Sequence, residues 1–245
     1  MKIQLLSDTH SDLSRFRIND DADIIAHCGD FTKGYKDSVK HIIEFTDLCE
    51  ENDKPYVLVF GNHDYYGYNY RDELLKELDE YGINYLTVGK VFDFKGYRFI
   101  GDTLFTEFNL YFTPDLSSKI AEAYINDFKN IFVNDKNIDS KFMIKEWYDQ
   151  YSWINTFRNV ENLIVLSHFV PSKIMIQEQY KGNELNPYFI NDLNLYGFKT
   201  WLCGHSHFTG HFKNHGCDIH INASGYTSYS RYECPHFDTN YLINV

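Results

Sequence analysis

The chain has 245 residues, of which 43% are hydrophobic, so it can bury a substantial core in a single large domain. Its formal charge of −12 disfavours non-specific binding to nucleic acid or to an anionic membrane, because those surfaces are also negatively charged. The five cysteines are an odd number and include no CxxC pair, so they fit reduced thiols better than a disulfide framework. The same pattern disfavours a structural zinc site of the cysteine type. The start MKIQLLSD does not resemble a signal peptide, and no apolar run reaches about 18 residues, so we expect a soluble, cytoplasmic protein.

The first half of the chain alternates short β-rich runs with helical patterns. The predicted elements are strands near 2–7, 23–28 and 55–60, a helix across 37–51, a helix near 71–81, a strand near 83–88 and a hairpin that turns at Lys95-Gly96. This alternation is typical of a layered α/β protein.

The second half begins with a long helical pattern and then returns to strands. One apolar helical face is predicted from Ile120, Tyr124, Phe128 and Ile131, and another from Trp147, Tyr151 and Ile154. Strands are predicted near 162–167, 199–203 and 217–221. We expect one domain over 1–245, in which the segments 108–158 and 170–198 act as lids that set substrate choice.

Acidic, amide and imidazole side chains follow five of the predicted strands. In chain order they are Asp8 and His10, Asp30, Asn62 and His63, His168, and finally His205 and His207. A lone histidine is more often a surface or core residue than a ligand, and GNHD alone could be a turn. Together, however, these side chains can converge, because ligands bind at the carboxyl ends of strands in open α/β sheets. Gly29, Gly61 and Gly204 precede three of the clusters, where glycine lets backbone approach a bound ion closely.

The combination of side chains indicates a metal centre. Carboxylate, imidazole and amide ligands without thiolate suit Mn²⁺, Fe, Zn²⁺, Co²⁺ or Ni²⁺. The set is too large for one tetrahedral zinc, but it suffices for two ions about 3.5–4 Å apart that share a bridging carboxylate. We therefore predict two divalent ions as cofactors, with Mn²⁺ as the first choice.

The order of these motifs is similar to that of a known family. Asp8-x-His10, Gly29-Asp30, Gly61-Asn62-His63-Asp64, His168 and Gly204-His205-Ser206-His207 resemble the five blocks of the calcineurin-like metallophosphoesterase superfamily. Further stretches, among them NDFKNI at 126–131 and NASGY at 222–226, resemble a branch of bacterial-type members. The resemblance implies an α/β fold, a four-layer α/β/β/α sandwich of two mixed sheets with the dimetal site at the carboxyl ends of the strands.

The resemblance also implies a role for each ligand. The first ion would be held by Asp8, His10 and His207, the second by Asn62, His168 and His205, and both would be bridged by Asp30. A bridging water or hydroxide would then attack the phosphate ester, because two dications lower the pKa of a shared water and neutralise phosphoryl charge.

The two residues after Asn62 are the predicted catalytic groups. His63 cannot easily turn to the ions if Asn62 does, which leaves it free to act as a general acid that protonates the leaving oxygen. Asp64 either orients His63 or caps its own loop. The family's protein Ser/Thr phosphatases usually carry GDxxDRG, whereas this chain has GDFTKG at 29–34, which disfavours a protein phosphatase.

These features predict a metal-dependent hydrolase of phosphate esters, with a preference for a phosphodiester in a small nucleotide-type substrate because His63 can protonate a poor leaving group. A phosphomonoesterase and a nuclease are alternatives, and the charge of −12 makes a nucleic-acid partner the weaker choice. A non-catalytic scaffold with the same fold is the alternative from another class. It is disfavoured because all seven predicted ligands and His63 are present.

Two other groups of residues have open interpretations. Tyr65, Tyr66 and Tyr68 follow GNHD directly and either line the pocket, where they could stack on a base, or pack in the core. A second group, made up of His211, His215 and His220, forms either a third metal site or the surface of a hairpin.

Overall fold

The computed structural model describes residues 1–67, 69–228 and 231–245. Within these ranges the helices are α1 (Tyr35–Glu51), α2 (Asp72–Glu80), α3 (Pro114–Tyr124), α4 (Asp127–Asn130), α5 (Ser140–Asn155) and α6 (Asn186–Phe189). The strands of the first half are β1 (Lys2–Leu6), β2 (Ile24–Cys28), β3 (Tyr56–Val59), β4 (Phe92–Phe94), β5 (Tyr97–Asp102), β6 (Phe132–Val133) and β7 (Lys136–Asn137). Those of the second half are β8 (Leu163–Ser167), β9 (Thr200–Cys203), β10 (Thr209–Asn214), β11 (Cys217–Asn222), β12 (Thr227–Ser228), β13 (Arg231–Tyr232) and β14 (Leu242–Asn244).

Two large mixed sheets form the centre of the protein. One sheet has the strand order β14-β1-β2-β3, and the other has the order β10-β11-β9-β8-β5-β4. Strands β1, β2 and β3 are parallel to one another, as are β5, β8, β9 and β11, while β4, β10 and β14 pair antiparallel to their neighbours. The parallel strands therefore end at common sheet edges, where their carboxyl-end loops can meet.

The two sheets pack face to face, with helices on their outer faces. Leu5 of β1 and Leu166 of β8 belong to one cluster buried between the sheets. Their chain neighbours point the other way, since side chains alternate along a strand. Leu6 joins a cluster that includes residues of α1 and α2, and Val165 joins a cluster that includes Ile154 of α5. The predicted four-layer α/β/β/α arrangement of two mixed sheets is thus confirmed.

The strand predicted near 83–88 is wrong. These residues form no strand, although Leu86 is buried and its N–H donates to the carbonyl of Leu58 in β3 at 2.8 Å. The residues that follow Leu86 bond to a side chain instead of a strand: the Asp102 carboxylate accepts hydrogen bonds from the Thr87 hydroxyl and the Val88 N–H. The Asp102 carboxylate thus takes the place of a neighbouring strand as the hydrogen-bond partner of these residues.

The continuous helical pattern predicted for 108–158 is also only partly correct. The segment contains α3, α4 and α5, with the β6–β7 hairpin between α4 and α5. Because α3 ends at Tyr124, the apolar face does not continue in phase, and the Tyr124 side chain is 72% exposed while Phe128 is buried. Asn134 and Asp135 make the hairpin turn with φ of 50° and 62°, a conformation that such residues tolerate.

Among the described residues, no helix combines the length and the apolar character that crossing a membrane requires.

Candidate metal centre

The loops after the strands have unusual backbone conformations at the predicted ligands. Asp8, His10, Asp30 and His205 have φ of 53°, 43°, 57° and 69°, in the left-handed region that L-residues seldom adopt. Each such residue costs on the order of 1–3 kcal/mol and persists only where the surroundings hold it in place. Local strain at four of the predicted ligands therefore indicates a functional arrangement.

The first group of predicted ligands comes together at the ends of β1 and β9. The Nε2 atoms of His10 and His207 are 3.1 Å apart, and His207 Nε2 is 3.3 Å from Asp8 Oδ1. One ligand atom from each of these three residues lies within 4.8 Å of the others. On its other side, His207 Nδ1 donates to the Glu233 carboxylate, which leaves Nε2 to face Asp8.

The second group comes together around His168, which follows β8. His168 Nε2 is 3.1 Å from Asn62 Oδ1 and 3.2 Å from His205 Nδ1. Its Nδ1 donates to the carbonyl of Cys28 at 2.7 Å. A carbonyl can only accept, so this bond orients the ring and directs Nε2 towards the other predicted ligands.

Asp30 lies between the two groups. Its Oδ2 is 3.8 Å from His10 Nε2 on one side and 3.4 Å from His168 Nε2 on the other. The other carboxylate oxygen accepts from the main-chain N–H of His63 at 3.0 Å. One carboxylate therefore contacts both sets of imidazoles, which is the position that a bridging ligand needs.

The carboxylates and imidazoles of the site shift one another's pKa. Burial alone would lower the pKa of His168, but the negative charge of Asp30 outweighs it and raises the pKa to about 9. Burial would likewise lower the pKa of His207, yet its bonds to Asp8 and Glu233 raise it to about 10. The buried carboxylates therefore favour positive charge on the neighbouring groups of this site.

The chemistry of the donors fits a pair of divalent ions. Two contacts of 3.1–3.2 Å join imidazole nitrogen to imidazole nitrogen, an arrangement that needs either a shared proton or a cation between the rings. The Nδ1 atom of His10 and the Nε2 atom of His205 are buried without a hydrogen-bond partner among the described residues. The donors are carboxylate, imidazole and amide, which suit borderline divalent metals.

Asp64 has the contacts of a loop-capping carboxylate. It accepts from the main-chain N–H groups of Asp30 at 2.9 Å and Gly61 at 2.8 Å, and from the hydroxyl of Ser38 at 2.7 Å. Burial and the charge of Asp30 raise its pKa to about 7, against the effect of the Ser38 bond. Within the described part of the chain no hydrogen bond joins Asp64 to His63, so the geometry favours the capping role of the two that we predicted.

His63 lies at the wall of a cavity beside the predicted ligands. Its ring stacks on Tyr66 with centroids 4.6 Å apart, and its Nε2 is 3.3 Å from the hydroxyl of Tyr226. It also belongs, with His10 and Asp30, to a third set whose ligand atoms lie within 4.8 Å of one another. The position thus allows contact with a substrate and lies close to the ions' expected location.

The glycines before the clusters lie where the loops of the site pack closely against one another. A Cβ on Gly29 would lie 2.4 Å from the Gly61 nitrogen, and a Cβ on Gly61 would lie 2.0 Å from Asp30 Oδ1. A Cβ on Gly204 would lie 2.7 Å from Asp8 Oδ2. Glycine is therefore required so that the loops can approach each other and the carboxylates.

The cavity has a volume of about 770 Å³. Its walls include residues 124–127 and several residues between 175 and 190, so both segments that we predicted as lids contribute to it. Tyr66 lines the cavity, whereas Tyr65 is buried in the core with its hydroxyl 2.8 Å from that of Thr103. Tyr68 lies outside the described residues.

The β10–β11 hairpin carries His211, His215 and His220. His211 and His220 stack with parallel rings 4.3 Å apart, and His211 Nε2 is 2.9 Å from Asp218 Oδ1. In the described ranges no group of potential metal ligands includes His211, His215 or His220. The hairpin-surface interpretation is favoured over a third metal.

Three residues that we did not predict support the site. Tyr226 stacks on His10 with centroids 4.1 Å apart, Glu233 accepts from His207, and Asp127 accepts from Asn62 at 2.9 Å. Asp127 and Tyr226 fall within stretches for which the sequence offered only a general family resemblance. No sequence signal distinguishes Glu233, because it meets His207 only through the fold.

The chain is similar to known proteins in sequence and in fold. A sequence profile described as calcineurin-like phosphoesterase matches residues 1–208. An uncharacterised protein, L509 of Acanthamoeba polyphaga mimivirus, is 27% identical over 233 residues, covering 83% of this chain and 78% of that protein. Phosphopantetheinyl hydrolase of Mycobacterium tuberculosis shares the fold with a TM-score of 0.65 at 13% identity, covering 96% of each chain. A dimetal phosphatase from Danio rerio aligns with a TM-score of 0.46 at 12% identity, covering 90% of this chain and 86% of that one.

Proposed function

Because the chain belongs to the calcineurin-like phosphoesterase family and is therefore a phosphoric ester hydrolase, we propose that it cleaves a phosphodiester bond in a small substrate of nucleotide size. The observation that carries the proposal is the cavity of about 770 Å³, which is lined by the proposed ligands Asp30, Asn62, His205 and His207 and by His63.

The size and charge of this cavity support a small substrate. Its volume lies within the range of about 300–1,000 Å³ that is usual for small-molecule sites. Among the described residues that line it, Lys33 is the one lysine or arginine. A nuclease would require a basic surface to hold the nucleic-acid backbone, so the cavity and the net charge of −12 argue for a compact ester.

We assign the ligands of two divalent ions, for which Mn²⁺ is the first candidate. Asp8, His10 and His207 would hold the first ion, Asn62, His168 and His205 would hold the second, and Asp30 would be shared by both. When bound, two such ions supply a nucleophilic water of lowered pKa and neutralise charge on the phosphoryl oxygens.

The protein's own residues orient the substrate and move the proton. His63 donates a proton to the leaving oxygen from the cavity wall, a step that matters most for leaving groups of high pKa. Stacking on Tyr66 and the contact with the Tyr226 hydroxyl support its ring on two sides. Asp64 holds the loops that carry Asp30 and Asn62 in place through its bonds to main-chain N–H groups.

A second candidate substrate is a phosphopantetheinyl ester. The Mycobacterium tuberculosis protein of the same fold carries the name phosphopantetheinyl hydrolase. Phosphopantetheine is an extended phosphate ester with amide groups, and side-chain amides that could pair with them line this cavity at Asn126, Gln177, Gln179, Asn183 and Asn186. This chemistry favours an amide-bearing leaving group as much as a nucleobase.

The test compares hydrolysis of bis(p-nitrophenyl) phosphate with that of p-nitrophenyl phosphate in the presence of Mn²⁺, using an Asp30→Asn variant as the control. A preference for the diester that the variant loses supports the proposal and leads to a panel of cyclic nucleotides, dinucleotides and phosphopantetheinyl esters. A preference for the monoester refutes the phosphodiesterase assignment in favour of a phosphomonoesterase. Hydrolysis of neither ester by protein that binds Mn²⁺ favours the scaffold interpretation.

A further inference from the structure

A buried carboxylate outside the family motifs contacts the proposed metal centre. Asp127, the first residue of α4, is fully buried and lies in the segment 108–158. Its Oδ1 accepts from Asn62 Nδ2 at 2.9 Å and from the Tyr66 hydroxyl at 2.6 Å. Its Oδ2 accepts from the hydroxyl of Tyr188 in α6. Three donors from two separate parts of the chain, residues 62–66 and α6, thus meet on one side chain.

The first of these bonds determines which way the Asn62 amide faces. A carboxylate oxygen accepts hydrogen bonds, so it selects the NH₂ end of the Asn62 side chain. The amide oxygen is then directed to the opposite side, where it lies 3.1 Å from His168 Nε2. An amide can bind a cation only through its oxygen, so the carboxylate holds Asn62 in the orientation that a ligand needs.

The second bond extends the effect to the proposed proton donor. The Tyr66 ring, anchored by its hydroxyl to Asp127, stacks on His63 at 4.6 Å with an interplanar angle of 24°. The carboxylate therefore supports His63 indirectly through Tyr66. The third bond, from Tyr188, joins the segment 108–158 to the segment 170–198, and both of its residues line the cavity.

We propose that Asp127 is a positioning residue, which orients Asn62 for metal binding and, through Tyr66, fixes the plane of His63. The inference rests on the proposed function and extends it from the family motifs to the segments that form the cavity. Those segments are then part of the support of the metal centre as well as walls for the substrate.

Two substitutions at Asp127 separate an orienting role from simple packing. Asp127→Asn keeps one oxygen that can accept from Asn62 and Tyr66, and its NH₂ group can face Tyr188, whose hydroxyl oxygen can accept. Asp127→Leu has a similar shape but removes both acceptors, so the Asn62 amide is free to turn. Tyr66→Phe keeps the ring that stacks on His63 and removes only its bond to Asp127.

The experiment titrates each purified variant with Mn²⁺ by calorimetry and measures thermal unfolding in EDTA, so the main readout does not depend on activity. We expect Asp127→Leu to bind Mn²⁺ about 10–100-fold more weakly, as is usual when a residue that supports a metal ligand is lost. The Asp127→Asn variant should show a smaller loss, and Tyr66→Phe should bind Mn²⁺ like the wild type but slow the hydrolysis of esters with poor leaving groups.

A destabilised control, Leu78→Ala in the buried face of α2, shows what loss of stability alone does to Mn²⁺ binding. Folded Asp127→Leu that binds Mn²⁺ as tightly as the wild type overturns the inference, as does a loss no larger than that of Leu78→Ala at equal stability. If Asp127→Leu loses Mn²⁺ affinity while the wild type hydrolyses no phosphodiester, the inference is supported and the proposed function alone fails.

Discussion

Replacement of His63 by alanine removes the proposed proton donor while the metal ligands stay in place. The main-chain N–H of residue 63, which donates to Asp30 Oδ1 at 3.0 Å, is kept in the alanine variant. The neighbouring Asn62 is held by its own bonds to Asp127 and His168. We therefore expect His63→Ala to bind Mn²⁺ with unchanged stoichiometry.

The size of the kinetic effect should depend on the leaving group. General-acid catalysis contributes about 10²–10⁴-fold, which corresponds to about 2.7–5.4 kcal/mol of transition-state stabilisation. An alkoxide leaving group needs the full contribution, because it is a strong base. p-Nitrophenolate leaves almost unassisted, so bis(p-nitrophenyl) phosphate should be slowed by less than about tenfold.

The assay measures kcat for a series of aryl and alkyl methyl phosphodiesters with wild type and His63→Ala, with and without added imidazole. Alanine leaves space at the cavity wall where His63 stood, so imidazole should restore part of the rate for the poor leaving groups. An equal loss for every leaving group would refute the proton-donor assignment, and a fall in bound Mn²⁺ would place His63 among the metal ligands.

Three further predictions concern the rest of the site. Asp30→Asn should bind fewer than two Mn²⁺ ions per chain by calorimetry and lose most activity, because Asp30 contacts both ligand groups; near-normal turnover would contradict its bridging role. In Gly61→Ala the added Cβ would lie 2.0 Å from Asp30 Oδ1, so chemical denaturation should show a loss of about 1–3 kcal/mol and kcat should fall, whereas wild-type values for both would show that the loop can relax. Treatment with EDTA should abolish hydrolysis and Mn²⁺ should restore it, while an ion at 100 times its Kd should stabilise the fold by about 2.7 kcal/mol; an unchanged Tm would argue against specific binding.

The parts of the fold that depend on local pattern could be predicted from the sequence. The periodicity of β1, β2, β3 and α1 lies within single elements, so their order and approximate bounds agree with the structure. The strand expected at 83–88 failed because the Asp102 carboxylate takes the Val88 N–H, a contact between distant parts of the chain. The predicted apolar helical face that included Tyr124 does not form, because α3 ends at this residue and the helical phase is interrupted.

The sequence could predict those residues of the candidate site that directly follow a strand. The seven predicted ligands lie in such loops, and the structure brings them into two groups around Asp30. Asp127 and Glu233 could not be assigned a role, because their partners Asn62 and His207 are 65 and 26 residues away in the chain. Residues that support ligands are fixed by tertiary packing, and a single sequence shows only the ligands' own motifs.

Anomalous diffraction from crystals of the protein soaked in Mn²⁺ tests the central claim most directly. The proposed site predicts two peaks about 3.5–4 Å apart with the Asp30 carboxylate between them. One peak should lie beside His10 and His207, and the other beside His168 and His205. A single peak, or two peaks of which one lies away from Asp30, would contradict the dimetal centre.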